Sequence, residues 1–554
     1  MYRIILFICS LLIAIGLSIF PSPLNHPATA IEQTQPTTPL FDNLGDHHHP
    51  ISTKNPVTQR YFDQGLILTY GFNHAEAERA FRTAAQLDPD CAICYWGIAL
   101  VIGPNLNAAM GEDAISPAWQ AIETAIELSD KASDKEQAYI QALAKRYTKY
   151  PVADRKQLDL DYANAMREVV QNYPQDLDAA TLFADALMNT MPWNYWQEDG
   201  TAKPATQEVL ATLESILQRQ PNHIGANHLY IHAVEAQKPE LAVAAADRLD
   251  GKVPGAGHLV HMPSHIYIRV GRYHDAAIAN QKAIKADQDY LKQVNAQGIY
   301  PLAYMKHNHH FLWASASLEG RSELALQAAR DTAKVDHDKM YEPEWATLQH
   351  YYSIPLYTLA RFGKWEEIMQ EPAPDKQLKY PTGVWHYARG LAFTAKGQLD
   401  KASEELAQLQ AIATDPEVEK IKIWDINSTA SLLKIASEVL AGEIAAKQSN
   451  YPEAIAHLET AVNLEDALTY TEPADWYYPV RQSLGAVLLE AGQPAQAEQV
   501  YQEDLKRYPE NGWSLLGLAE SLRQQGKTEA AQAVQQRFEE AWKHADIQLT
   551  ASRF

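Results

Sequence analysis

Residues 58–91 read TQRYFDQGLILTYGFNHAEAERAFRTAAQLDPDC. Tyr61, Gly65 and Leu68 are spaced to share one face of a helix, and Ala77, Phe81 and Ala84 one face of a second. Pro89 stops the second helix. Small Gly65 and Ala77 let the two helices approach closely, and Phe81 fills the space between them. Outward from this unit the pattern recurs. Gly492 and Gly526 are separated by the length of that unit, as are Ala497 and Ala531, with Pro509 between. Looser copies follow Gly271-Arg272 with Ala276, Gly320-Arg321 with Ala325, Gly363-Lys364-Trp365, Gly397 with Ala402, and Gly442 with Ala454. Insertions interrupt them at 102–115 and 288–305. No alternating strand pattern appears.

A helix–turn–helix unit of this length, with these residues, resembles the tetratricopeptide repeat. The resemblance implies an all-α, right-handed superhelical solenoid, in which no unit buries its apolar face alone and the stack leaves a concave groove. Further motifs narrow it: His49-Pro50, Tyr61-Phe62-Asp63-Gln64-Gly65, Asp88-Pro89-Asp90-Cys91, Tyr95-Trp96-Gly97, His228 to His232, His261-Met262-Pro263-Ser264-His265-Ile266, His307-Asn308-His309-His310-Phe311-Leu312, Asp475-Trp476-Tyr477-Tyr478-Pro479 and Ser483-Leu484-Gly485. Together they resemble a bacterial family of exported tetratricopeptide-repeat proteins with a histidine-rich central region. They are also similar to a eukaryotic relative with paired histidines on two helices. The resemblance covers most of residues 46 to 530 and implies a fold and a histidine pattern, but no activity.

Composition bounds the function. Lys and Arg number 47 against 69 Asp and Glu, a net charge of −22. Binding a polyphosphate needs a basic surface that releases counterions, so nucleic acid is excluded as the main partner. The aromatic count (12 Trp, 28 Tyr, 12 Phe) excludes a disordered chain. Arg3, the apolar run Ile4 to Phe20 and Ala28-Thr29-Ala30 read as a secretory signal cleaved before Ile31, with an uncleaved anchor as the alternative. No later apolar run is long enough to span a bilayer. The expected organisation is a signal peptide at 1–30, a flexible leader with a His-rich loop at 31–54, N-terminal repeats at 55–220, central His-rich repeats at 221–340 and C-terminal repeats at 341–554.

Once Cys9 leaves with the signal, Cys91 and Cys94 remain. Tyr95 follows where a c-type haem site needs His, so haem is excluded. In an oxidising compartment the pair is expected to bond to each other. A reduced packed pair, or a redox pair with a thiol activated at a helix start, are the alternatives.

Histidine is the uneven residue. Ten of the 20 fall between His223 and His310. His228, His232 and Glu235 make one helical stripe; His258, His261 and His265, continued by Arg269, make another. His307 and His310 repeat the slots of His258 and His261 at the same spacing that separates Gly271 from Gly320. His350 precedes Gly363 as His258 precedes Gly271. The expectation is a file of imidazoles along the groove, with Arg269 and His350 lining it. Neutral imidazole is the commonest side-chain metal ligand. His228, His232, Glu235, His258, His261, His265, His307 and His310 are therefore candidate ligands for a transition metal such as Zn, Fe or Cu. Pro263 is expected to kink or start its helix. His47, His48 and His49 are expected to be a solvated loop, and His74, His274, His337, His386, His457 and His544 ordinary. No nucleotide-binding loop and no nucleophile elbow is present. Two functions remain: a scaffold holding a protein, peptide or small ligand in the groove, or a metal-dependent enzyme or metal-binding protein.

Overall fold

Phe81 stands between two glycines. A Cβ on Gly65, in the helix Pro56–Tyr70, would lie 2.6 Å from its ring, and one on Gly97, in the helix Ala92–Ile102, 2.5 Å. The helix His74–Leu87 therefore packs against both neighbours at close range. The same device returns at the other end. Tyr501, on Pro494–Arg507, lies between Gly485 of Arg481–Glu490 and Gly517 of Gly512–Gln524, where a Cβ would meet its ring at 2.4 and 2.1 Å. The turn glycines Gly492 and Gly526 have φ of 70° and 74°, a left-handed conformation that ends a helix at no steric cost.

The computed structural model describes residues 38–296 and 300–554. It is an all-α repeat solenoid of helical hairpins, from Pro56–Tyr70 to Thr528–Ala541. The export signal and the start at Ile31 lie outside the described residues. Among those described, the only sheet is a two-stranded pairing of Lys422–Ile423 with Asn427–Ser428. No described helix is long and apolar enough to cross a membrane.

Gly442 with Ala454 does mark a hairpin: Gly442 sits inside the helix Thr429–Lys447 against Leu458 of Tyr451–Asp466, and Ser449, at φ 60°, makes the turn between them. One expectation on local structure is corrected. The insertion expected from residue 288 begins as helix, because Tyr273–Gln293 runs through it. Pro263 does break its helix: Gly257–His261 ends before it, and Pro263–Arg269 starts on it. Cys91 and Cys94 are joined by a disulfide at the head of Ala92–Ile102.

Buried apolar side chains form two large clusters, one from Leu44 to Leu318 and one from Ala277 to Val534. They overlap on the helices Tyr273–Gln293 and Met305–Leu318, and those helices carry the joint between the two halves. The last repeats also fold back onto this joint. Trp513 Nε1 donates to the Ser317 carbonyl at 3.1 Å, and the Tyr273 hydroxyl to the Pro509 carbonyl at 2.7 Å. The interior beside the joint is thereby walled in.

Candidate metal centre

Four short helices bring the central histidines together. His228 and His232 come from Ile224–Val234, His258 and His261 from Gly257–His261, His265 from Pro263–Arg269, and His307 from Met305–Leu318. They sort into two triads, His228/His232/His258 and His261/His265/His307. Within each triad one ring nitrogen per residue lies within 4.8 Å of the others. All but half-buried His307 are at most 4% exposed.

The protons of these rings are assigned by what the other nitrogen faces. His228 Nδ1 lies 2.5 Å from the Tyr70 carbonyl, which only accepts, so Nδ1 carries the hydrogen. His261 Nδ1 donates to Asn280 Oδ1 at 2.7 Å; the Asn280 amide nitrogen is held by the Ala276 carbonyl, which fixes its orientation. Glu235 takes two: His232 Nδ1 donates to Oε1 at 3.0 Å, and His265 Nδ1 to Oε2. In these four rings, when neutral, Nε2 is then a bare lone pair, whereas His258 Nδ1 faces no acceptor and its Nε2 can carry the hydrogen instead. Yet His261 Nε2 faces His265 Nε2 at 2.8 Å, His307 Nε2 is 3.4 Å from His265 Nε2, and His258 Nε2 is 3.2 Å from His228 Nε2. His232 Nε2 and His258 Nδ1 are buried without any partner. Two bare lone pairs at these distances repel until a shared proton or metal ion stands between them, and a protonated His265 supplies one such proton toward His261 Nε2.

Burial disfavours the charged imidazolium. Desolvation, with mutual repulsion added, holds His228, His258, His261 and His307 well below the ordinary histidine range. His232 is lowered by burial against the pull of Glu235. His265 stands apart: burial opposes its charge, but Glu235 and Glu472 outweigh it and carry its pKa up to about 10. Burial alone would raise Glu235, and the His265 and His232 charges bring it well down instead. So the pocket holds a permanent carboxylate among mostly neutral rings.

One family model matches a C-terminal part of the chain. Residues 488–540 match the tetratricopeptide repeat family. A search of curated proteins finds no match. Among solved structures, the human IFIT1 dimer with m7Gppp-AAAA is similar at 11% identity, covering 81% of this chain and 90% of that one, with a TM-score of 0.33. The APC/C hetero-tetramer Cut9-Hcn1 is similar at 13% identity, covering 87% and 76%, with a TM-score of 0.30. The TPR domain of P58(IPK) is similar at 13% identity, covering 85% and 99%, with a TM-score of 0.22. Tetratricopeptide repeats generally mediate protein–protein contacts.

Some candidates fall elsewhere than expected. His310 is buried but turns away from both triads, stacking on Trp313 with ring centroids 5.1 Å apart and facing His350 at 5.6 Å. Its helix carries His307 toward the centre, and a residue three positions on points about 60° aside. His350 lines no groove; it is 1% exposed, with Nδ1 2.9 Å from the Tyr380 hydroxyl. Arg269 lies over the Tyr470 ring at 5.2 Å and donates to the Ala236 carbonyl. Glu235 accepts from His232 Nδ1 on one oxygen and from His265 Nδ1 on the other, and with these two residues it also forms a third group of closely spaced candidate ligand atoms. The open file of imidazoles is not there either, because Phe72, Tyr304 and Glu472 close over the rings.

The loop of His47, His48 and His49 is also corrected. Only His48 is exposed. His47 and His49 lie 3.0 and 2.8 Å from the Asp178 carboxylate, which also takes the Tyr70 hydroxyl at 2.6 Å and faces His223 at 3.3 Å. Burial would raise the Asp178 carboxyl, but these imidazoles hold it well below the usual range. Tyr70 links this hub to the first triad, since its carbonyl anchors His228. Asp178, Asn280, Tyr70 and Glu472 were missed from sequence because none shares a helix with the residue it serves. Glu472 Oε2 is 2.9 Å from His265 Nδ1, brought there by a segment of the C-terminal repeats.

Proposed function

We propose that this chain is an exported helical-repeat protein that holds two transition-metal ions in a buried histidine centre. One ion sits among His228, His232 and His258 and the other among His261, His265 and His307, with Glu235 orienting one ligand of each. The observation that carries this is the set of converging Nε2 atoms, four of which, in His228, His232, His261 and His265, have their Nδ1 protons committed elsewhere. An ion about 2.0–2.1 Å from each nitrogen sets neighbouring ligand nitrogens roughly 3 Å apart. The separations of 2.8, 3.2 and 3.4 Å match such an edge. The partners on Nδ1 are the carboxylate, carbonyl and amide oxygens that metal-binding imidazoles ordinarily use. A nitrogen-rich set without thiolate suits Zn, Cu or Fe. A peptide lying along the histidines is disfavoured by their burial, so contacts with other proteins would use other faces of the solenoid.

The test is elemental analysis of the full mature chain, purified without a metal-affinity tag and re-loaded after chelation. Close to two ions per chain is expected, falling to one in His228→Ala/His232→Ala with helical content retained. A protein that keeps no transition metal after loading overturns the reading.

A further inference from the structure

One turn along its helix from His307, a line of buried imidazole and phenol side chains begins and runs to the opposite half of the molecule. His310 faces His350 with ring centroids 5.6 Å apart. His350 stacks on Tyr380 at 6.1 Å, and the Tyr380 hydroxyl lies 2.9 Å from His350 Nδ1. The Tyr380 and Tyr357 hydroxyls are 3.2 Å apart. Tyr357 stacks on Tyr477, centroids 4.6 Å apart and planes 19° from parallel. Tyr477 touches Trp476 at 5.1 Å and Tyr478 at 4.6 Å, and its hydroxyl meets that of Tyr387 at 2.9 Å. The line ends at a cavity of about 520 Å³ lined by Tyr477, Tyr478, Arg361, Glu443 and Arg553. His350, Tyr357, Tyr380 and Tyr387 are at most 1% exposed.

Packing alone does not account for this line. A core that needed only rings would use phenylalanine, which brings no hydroxyl to satisfy in a dry interior. Here four phenols and an imidazole are arranged hydroxyl to hydroxyl and hydroxyl to nitrogen. The His310 and His350 Nε2 atoms beside them are buried without partners. Two stretches of chain join the line to the candidate centre: the helix Met305–Leu318 carries both His307 and His310, and one segment carries both Glu472, at His265, and Trp476 to Tyr478.

We propose that these side chains form a one-electron relay between the metal centre and the cavity, with hydrogen peroxide as the probe oxidant at the centre and a small phenol as the probe reductant at the cavity. The inference rests on the metal reading. Hydrogen peroxide takes two electrons, one from each reduced ion, and two protons, giving two waters. Each oxidised ion is then re-reduced by an electron from Tyr380. As the electron leaves, the hydroxyl proton of Tyr380 crosses to His350 Nδ1, so a neutral phenoxyl radical forms beside an imidazolium. Tyr357 shares the radical through its hydroxyl. A phenolic reductant in the cavity returns one electron through the Tyr477 ring, and the proton passes back from His350 to Tyr380. Per peroxide, two reductant molecules each lose one electron and one hydroxyl proton, which match the two electrons and two protons that peroxide takes, and the protein ends unchanged.

The test uses the full chain loaded with copper(I), with iron(II) in a parallel sample and with redox-inert zinc as control. Samples are mixed with hydrogen peroxide, freeze-quenched and read by electron paramagnetic resonance, with metal content measured on the same material. A phenoxyl radical with tyrosine ring-proton splitting is expected in a redox-metal sample and not with zinc. It is expected to be lost or moved in Tyr380→Phe and Tyr357→Phe at unchanged metal content. Hydroquinone is expected to quench it several-fold more slowly in Tyr477→Leu. Metal that is bound and oxidised with no phenoxyl signal, or with the same signal in both Phe variants, overturns the relay and leaves the metal centre standing. A chain that binds no metal overturns both.

Discussion

Glu235 shows how much one side chain decides. It caps the helix that carries His228 and His232, and its two oxygens each hold the Nδ1–H of one histidine, one per triad. Glu235→Gln keeps the shape but offers one acceptor oxygen and one amide donor, which cannot serve two N–H groups. Loss of such a partner typically weakens metal binding about 10–100-fold. A competition titration against a chromophoric chelator is expected to show weakening of this size at both sites, because both lean on the same carboxylate. Weakening at one site alone would contradict the shared role. His310→Ala, by contrast, is expected to leave stoichiometry unchanged. The spacing of His228, His232 and Glu235 placed them on one stripe, and that much was legible. Whether Glu235 would ligate or orient was not, because that depends on His265, which belongs to another helix.

At the scale of the element, the hairpin is set by small residues facing one large ring. Gly65 and Gly97 receive Phe81, and Gly485 and Gly517 receive Tyr501. The spacing of Gly65, Ala77 and Phe81 foretold the first hairpin, because helix period and residue volume are local properties. Gly442 and Ala454 foretold another in the same way: Gly442 receives Leu458 across the hairpin of Thr429–Lys447 and Tyr451–Asp466. In Gly517→Ala the new Cβ would meet a fully buried ring at 2.1 Å. Tyr501 cannot retreat, since Gly485 lies on its other side and its hydroxyl is held by Ser552 at 2.7 Å. Overpacking of this kind destabilises by about 1–3 kcal/mol. The urea midpoint is expected to fall accordingly, with the slope unchanged; an unshifted midpoint would mean the helices separate freely there.

At the scale of the molecule, the candidate centre ties together parts of the chain that are far apart in sequence. Its ligands span residues 228 to 307, Tyr70 and Asn280 anchor rings from outside, and Glu472 arrives from the C-terminal repeats. Ions that bind only the folded chain stabilise it by about 2.7 kcal/mol each when present at about 100 times the dissociation constant. Chelation is therefore expected to lower the thermal midpoint by several degrees, and re-addition of metal to restore it; identical melting with and without chelator would count against the centre. By itself, the sequence determined the helices, their pairing into repeats and the two histidine stripes. All of these follow from composition or from the period of a single helix. Only the tertiary structure decided that the stripes meet in a closed pocket rather than an open groove, and that His310 and His350 leave it for a line of tyrosines. It also decided that His47 and His49 are buried against Asp178. Each of these depends on partners far along the chain, and helix periodicity carries no information on which distant turn will close over a given face.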